Sequence, residues 1–249
     1  MTPHCRYVLR LADTNLVLAQ RLGEWVGHAP ALEEDLGLAN VALDLLGQAR
    51  LLLAHAGELE GRGRGEDELA YLREESEYLN LTLVEQPNVD FGDTIARQFL
   101  FDAWQFGLYE SLSHSKDAKL AAIAAKGTRE AAYHLRYSSG WLIRLGDGTE
   151  ESHARLVQSL ARLWPYTNEL FDADEVDRTI AAVGIGPAPD TLEKNWSRRV
   201  DEVLAQATLT RPARAKFGWY GKQGRHSEHL GYLLADLQSL HRAHPGATW

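Results

Sequence analysis

The stretch from Leu38 to Leu53, LANVALDLLGQARLLL, is apolar almost all the way round a helix, and it decides the fold class. A helix that is apolar on every side is usually buried by neighbours on several sides. We therefore predict that this helix, which begins at about Ala31, lies at the centre of the core. Alternating strand patterns are nearly absent from the first 145 residues, so the sequence predicts an all-α protein.

Three further helices accompany this stretch, and each carries a long apolar stripe. Asp90 is a suitable N-cap for one of them, and a short acidic helix is expected over Asp67–Asn80. The three long helices are predicted at about Pro3–Glu24, Phe91–Ser113 and Ala118–Arg144. Two antiparallel hairpins joined by one long crossover have the connectivity of a ferritin-like four-helix bundle.

The C-terminal third continues the helical pattern without a separate linker. Its helices are predicted near Ser152–Leu170, Asp174–Ala182, Thr191–Ala207 and Ser227–His241. We interpret residues 1–249 as a single ferritin-like domain, with a core bundle over about 3–146 and helices over about 150–243 packed on it.

Composition restricts the possible partners and the compartment. The net charge of −9 argues against nucleic acid, because duplex binding depends on Lys and Arg neutralising phosphates. The single cysteine, Cys5, excludes an internal disulfide framework, and no leader-like segment opens the chain, so we expect a cytoplasmic protein. Charged or strongly polar residues interrupt every candidate helix, so we expect no membrane span. An acyl-CoA or a protein partner stays possible.

The stretch Glu130–Trp141, EAAYHLRYSSGW, nearly matches the Glu-x-x-His signature of di-iron bundles. Its histidine, His134, comes one position late, and Tyr133 occupies the ligand position. The other helices are equally depleted. The first offers Asn15 in place of a carboxylate, the second Asp44 with Gly47 where histidine belongs, and the third Asp102.

Pairing residues at equal distances from each hairpin turn places these polar positions at about the same height. On that register Asp44 lies opposite Asn15, Glu130 lies opposite Asp102, and Lys126 can act as a buried counter-ion. Three interpretations stay open. The residues form a metal-free polar network, or a self-sufficient dinuclear-metal oxidase or oxygenase uses Asp44, Asp102, Glu130 and His134, or these side chains do not converge.

A second pair of histidines lies near the C-terminus, in Arg225–Gly231, RHSEHLG. His226 and His229 flank Glu228 and could bind zinc, but two ligands make a weak site. The simpler interpretation is that His226 and Ser227 open the last helix, while Glu228 offsets its N-terminal dipole. No phosphate-binding loop, nucleophile elbow or Cys/His pair is present, so we expect the chain alone to be inactive.

Several segments resemble the C subunits of the bacterial ring-1,2-phenylacetyl-CoA epoxidases, the PaaC family. The strings LGEWVGHAP (22–30), LDLLGQAR (43–50) and LVEQPN (83–88) are specific together. Further similar segments are EAAYHLRYSSGWLIRLGDGT (130–149), ELFDADEVD (169–177) and HSEHLGYLLADLQSLHR (226–242). The similarity is spread over nearly the whole chain.

The resemblance implies more than the residues alone indicate. In this family the di-iron centre lies in the A subunit, and a reductase subunit relays electrons from NADPH. The C subunit has lost the ligands and binds no cofactor, and it pairs with the A subunit as a structural partner in phenylacetate catabolism. The family also places the C subunit beside the CoA-binding region. Matching segments assign CoA contacts to Glu77, Tyr78, Leu79 and Asn80, and to Arg178, Thr179 and Ile180.

Overall fold

The computed structural model describes residues 1–216 and 218–247 and confirms the all-α class. Over these residues it contains helices and connecting segments and no β-strand. The helices are α1 (Pro3–Gly23), α2 (Leu32–Glu60), α3 (Glu66–Tyr71), α4 (Phe91–Leu112), α5 (Ala118–Gly146), α6 (Glu150–Leu163), α7 (Glu175–Ala182), α8 (Pro189–Gln206) and α9 (Glu228–Ala243). The order of hairpin, crossover, hairpin and C-terminal helices is that of the ferritin-like fold.

The chain divides into two compact units. One consists of Met1–Pro87 with Tyr220–Trp249, and the other of Asn88–Trp219. The C-terminal third is therefore split, because α9 belongs with α1–α3 whereas α6–α8 belong with α4 and α5. The single domain expected from the sequence stays a prediction.

In the first unit, α1 and α2 form an antiparallel hairpin. The Cys5 Sγ donates to the carbonyl of Ala56 at 3.5 Å, and the Asn15 amide donates to Gln48 Oε1 at 3.2 Å. Pairs whose numbers rise on one helix and fall on the other define an antiparallel register. Thr2 caps α1, and its side chain accepts a hydrogen bond from the backbone N–H of Cys5.

One flank of α2 is not covered within the chain, contrary to the prediction from its sequence. Leu43 is 64% exposed, and further leucines on the same flank are exposed as well. Charged residues interrupt α2 only sparsely, as Asp44 and Arg50 do. An 18-residue window of α2 has a mean hydropathy of 1.3, so this helix is long and apolar enough to cross a membrane by length and composition. The core helix of a soluble protein passes the same criterion.

The crossover is not the helix over Asp67–Asn80 that the sequence predicts, because α3 ends at Tyr71. Arg73 is buried and pairs with the Asp13 carboxylate, and its side chain also donates to the carbonyl of Glu77 at 2.9 Å. The backbone N–H of Leu79 donates to Asp13 at 2.9 Å. Because Arg73 and Leu79 bond to Asp13 on α1, the segment leaves the α-helix after Tyr71 and forms only a short 3-10 helix at Glu75–Glu77.

In the second unit, α4 and α5 form the other hairpin. Asp90 caps α4, as predicted, because its carboxylate accepts from the backbone N–H of Asp93 at 2.8 Å. The two helices approach closely at Gly127, where a β-carbon would lie 2.5 Å from the ring of Tyr109. Helices α6 and α8 pack against both members of this hairpin.

Candidate functional site

A buried polar cluster lies at the centre of the α4/α5 hairpin. Asp102 on α4 is fully buried, and each of its carboxylate oxygens accepts one hydrogen bond. Gln98, one turn earlier on α4, donates its amide to Oδ1 at 2.7 Å. Ser138 on α5 donates its hydroxyl to Oδ2 at 2.7 Å. His134, one turn before Ser138, is also fully buried.

Burial dominates the electrostatics of this cluster. It raises the pKa of Asp102 from its ordinary value of 3.8 to about 6, because the charged form loses its hydration. His134 and the hydrogen bonds from Ser138 and Gln98 oppose this effect. Asp102 is therefore mostly ionised at neutral pH, and the two donors hold the charge in one position.

The remaining metal-ligand candidates of this hairpin do not join Asp102. Tyr133 is 45% exposed, and Glu130 is half-buried. Lys126 is exposed and lies 3.9 Å from the Glu130 carboxylate as a surface pair, so the prediction of a buried counter-ion is wrong. The predicted pairing of Glu130 with Asp102 is wrong as well, because Ser138 lies opposite Asp102.

The register estimate failed for a local reason. The backbone nitrogen atoms of His114 and Ser115 bond back to Ser111 and Leu112, so the chain continues to turn after α4 ends. The reversal therefore comes later than the midpoint near Ser115 that the estimate assumed, and every pair along the hairpin shifts.

The first hairpin shows a smaller shift of the same kind. Asn15 is buried, and its partner across the hairpin is Gln48, one turn beyond the expected Asp44. Asp44 lies half-buried on the flank of α2. A β-carbon at Gly47 would meet no atom within 4 Å, so packing within the structure does not require glycine there.

The second unit does not fit a dinuclear metal centre. The hydrogen-bond partners of Asp102 are Gln98 and Ser138, whereas Glu130 faces Lys126 and Tyr133 is 45% exposed. The donor atoms of Asp102, Glu130 and His134 do not form a group close enough to share one ion. We therefore assign no metal chemistry to these three residues.

Sequence reasoning found Asp102 and His134 but missed the donors that complete the cluster. Gln98 precedes Asp102 by four residues, and Ser138 follows His134 by four. Residues four apart lie on the same face of a helix, so a polar residue one turn from each candidate was the available signal.

A second buried cluster lies in the first unit, around Glu85. Its carboxylate accepts from His226 Nδ1 at 2.6 Å, from the amide of Asn80 at 2.8 Å and from the hydroxyl of Ser227 at 2.6 Å. His226 Nε2 lies 2.9 Å from the carbonyl of Tyr78. Burial works to lower the pKa of His226, but the hydrogen bond and charge of Glu85 outweigh it and raise that pKa.

This arrangement excludes His226 as a zinc ligand. Both ring nitrogens face oxygens that can only accept, so both must carry protons and neither offers a lone pair. Ser227 caps α9, and Glu228 stands in its first turn, as the simpler interpretation of the sequence predicted.

The proposed CoA-contacting residues lie in different units and differ in exposure. Tyr78, Leu79 and Asn80 are buried, so their side chains cannot contact a ligand at the surface. The Tyr78 hydroxyl bonds to the carbonyl of Ala70. Ile180 is buried as well.

Only three of the seven residues leave their side chains accessible. Glu77 and Arg178 are exposed, and Thr179 is half-buried. Arg178 also donates to the carbonyl of Ala173 at 2.8 Å, which fixes part of its guanidinium.

Comparison with known proteins gives a family and a curated relative. The family model for phenylacetic acid catabolic proteins, which spans PaaA and PaaC chains, matches residues 1–249. The C subunit of the 1,2-phenylacetyl-CoA epoxidase of Escherichia coli strain K12 is 53% identical over 243 residues. This alignment covers 98% of the chain and 98% of the relative, so the similarity extends through both units.

Proposed function

The chain belongs to the family of phenylacetic acid catabolic proteins, and on that premise we propose that it is the C subunit of a 1,2-phenylacetyl-CoA epoxidase. Its role in that complex is structural. It pairs with the A subunit and supports it, while the metal that activates oxygen is held by the A subunit. The NADPH-derived electrons enter through a reductase subunit, and the assembly works in the cytoplasm on phenylacetyl-CoA.

The state of Asp102 supports the non-catalytic role. In a carboxylate-bridged centre this position would supply a metal ligand, whereas here Gln98 and Ser138 each donate to one of its oxygens. Glu130, the other carboxylate expected at the site, instead lies near Lys126 at the surface, and Tyr133 occupies the histidine position. A di-iron bundle requires a carboxylate from every helix and two histidines.

Purification of this chain alone and with its A subunit tests the proposal. We expect the two chains to elute together, and we expect phenylacetyl-CoA epoxidation only when both chains and the reductase are present. Elemental analysis should find iron in the complex and in the isolated A subunit. About two metal ions in the isolated chain, with oxygen-dependent turnover, would instead establish a self-sufficient oxidase.

An Asp102→Asn variant sharpens the distinction between these outcomes. If Asp102 is a member of a metal-free cluster, the substitution changes stability and leaves the metal content of the complex unchanged. If the complex with the variant instead binds less metal per chain than the wild-type complex, Asp102 is a metal ligand.

A contact with CoA is the further part of the proposal. It rests on the accessible side chains of Glu77, Arg178 and Thr179, since the other four residues are buried. A guanidinium such as that of Arg178 can bind the phosphates of CoA through paired hydrogen bonds.

A further inference from the structure

The chain returns to the first unit near its C-terminus, and the returning segment lies directly against the crossover between α2 and α4. We call residues 220–227, which lead into α9, the clasp. Two glycines of the clasp permit this close approach. A β-carbon at Gly221 would lie 2.3 Å from the carbonyl oxygen of Asn80, and one at Gly224 would lie 2.4 Å from that of Ser76. The clasp is therefore seated on the backbone of the crossover.

His226 is the buried charged group of the clasp. Its side chain is 1% exposed, and that of Glu85 is 0% exposed. The ring atom Nδ1 lies 2.6 Å from a carboxylate oxygen of Glu85, and Nε2 lies 2.9 Å from the carbonyl oxygen of Tyr78. Both oxygens belong to the crossover. Only a ring that carries both protons can donate to both of them, so the docked clasp requires the charged imidazolium.

The surroundings of His226 act on its proton in opposite directions. Burial is the largest effect, and it acts to lower the pKa of His226. The hydrogen bond and charge of Glu85, the carbonyl of Tyr78 and the charge of Asp13 on α1 act to raise it. Together they outweigh burial, so the pKa of His226 lies above its ordinary value of 6.5.

Other charged groups stand on the same elements. The cations are Arg21 on α1, Arg73 in the crossover and Arg225 in the clasp. Arg21 donates to the backbone carbonyl of Glu85 at 2.7 Å, and Arg73 pairs with the carboxylate of Asp13. Glu228, in the first turn of α9, is exposed to solvent. The buried carboxylate of Glu85 is thus the group that His226 neutralises directly.

Further contacts hold α9 beyond the clasp. Gln238 donates its amide to the hydroxyl of Tyr78 at 3.1 Å, and Arg242 donates to the carbonyl of Tyr71 at 3.2 Å. His241 stacks on the ring of Tyr71, with 4.7 Å between the ring centroids. An amide and a guanidinium keep their charge state near neutral pH, whereas a histidine does not. His241 is therefore the histidine against which the effect of His226 has to be compared.

We propose that the clasp is a proton-dependent latch, which docks α9 on the crossover while His226 carries both ring protons and loosens when the ring loses one. A neutral ring leaves a nitrogen lone pair facing an oxygen, and it leaves the buried carboxylate of Glu85 without its cation. Asn80 and Ser227 still donate to this carboxylate, but neither carries a charge. A buried charge without its partner is costly, and opening of the clasp relieves that cost by hydrating the carboxylate.

The direction and size of the effect follow from proton linkage. The docked clasp binds the proton of His226 more tightly than the opened clasp, in which the ring has its ordinary pKa of 6.5. Between these two pKa values opening releases one proton, so the equilibrium constant for opening should rise by up to about tenfold per pH unit. Above the raised pKa the constant should level off, because neither state then binds the proton.

Hydrogen exchange of the full chain, followed by mass spectrometry at several pH values between about 6 and 9, measures this opening. Once the intrinsic exchange rate is corrected for, the protection of the amides of residues 230–238 in α9 should fall by up to about tenfold per pH unit, beginning near the ordinary pKa of histidine. The amides of α5 in the second unit should show no such fall. The same fall in α5 would overturn the latch, since the proton would then act on unfolding of the whole chain.

Two variants assign the effect to one ring. His226→Gln should lower the protection of α9 at about pH 6.5 and remove its dependence on pH. His241→Gln is the matched control and should keep the dependence, because that ring stacks on Tyr71 and does not contact Glu85. A wild-type chain without the dependence would overturn the latch, as would a dependence that persists in His226→Gln or is lost in His241→Gln. The wild-type measurement decides the question even if His226→Gln does not fold.

Discussion

Replacing Asp102 by asparagine removes a buried titratable group and keeps the size of the side chain. Asparagine can still accept from Gln98 through its oxygen, and its amide can donate to the hydroxyl of Ser138. The variant therefore preserves the two contacts but never carries a charge. Its stability relative to the wild type should depend on pH in a way that reports the state of Asp102.

The size and direction of the effect follow from the pKa. Asp102 has a pKa of about 6 in the folded chain and an ordinary value of 3.8, so the folded state binds the proton more strongly. The free energy of unfolding of the wild type therefore falls as the pH rises from 3.8 to 6, by about 3 kcal/mol in total once the titration is complete. About 1 kcal/mol of this loss comes between about pH 5 and pH 8. Above about pH 7 the difference should be constant.

Urea denaturation, followed by circular dichroism at several pH values between about 5 and 8, measures this difference. Between these pH values, we expect the free energy of unfolding of Asp102→Asn to rise by about 1 kcal/mol relative to that of the wild type. Asp236→Asn is the control, because Asp236 is exposed on α9 and should show no such trend. A constant difference between Asp102→Asn and the wild type would refute the burial argument. The opposite result is a wild type that becomes more stable relative to the variant as the pH rises. That result would mean that the interactions of the Asp102 carboxylate with His134, Ser138 and Gln98 outweigh the effect of burial on its pKa.

Other variants test the remaining parts of the structure. His226→Gln should lower the free energy of unfolding by about 3–5 kcal/mol at about pH 6, and urea titrations should show this deficit shrinking as the pH rises through the raised pKa of His226. Lys126→Met should change the free energy of unfolding by less than about 1 kcal/mol in a thermal melt, because Lys126 forms an exposed pair. Arg73→Met, by contrast, should cost about 3–5 kcal/mol in the same assay, since it leaves a buried carboxylate unpaired. In the assembled epoxidase, Arg178→Ala and Glu77→Ala should alter the KM for phenylacetyl-CoA with little change in kcat; an unchanged KM would exclude a CoA contact.

The sequence predicts the helices well because their ends are encoded locally. Asp90 is recognisable as a cap from its place before an apolar stripe, and the structure shows it capping α4. The pairing between helices depends on where each hairpin reverses, and the extra turns after Leu112 move that point. For this reason the buried Asp102 is predictable, whereas its pairing with Ser138 across the hairpin is not. The end of α3 is missed because Arg73 and Asp13 compete with the helix through contacts distant in sequence.

The prediction that α2 is covered on several sides is wrong on one flank of the helix. The sequence of Leu38–Leu53 predicts a helix covered on several sides, yet Leu43 and Leu46 are exposed in the isolated chain. The hydrophobic pattern of a helix reflects which of its side chains are buried in the stable state of the protein. For a subunit, that state includes its partner chains. The apolar pattern of α2 therefore exceeds what its own unit buries, and Leu43 and Leu46 are the part of the pattern that the fold of this unit leaves exposed.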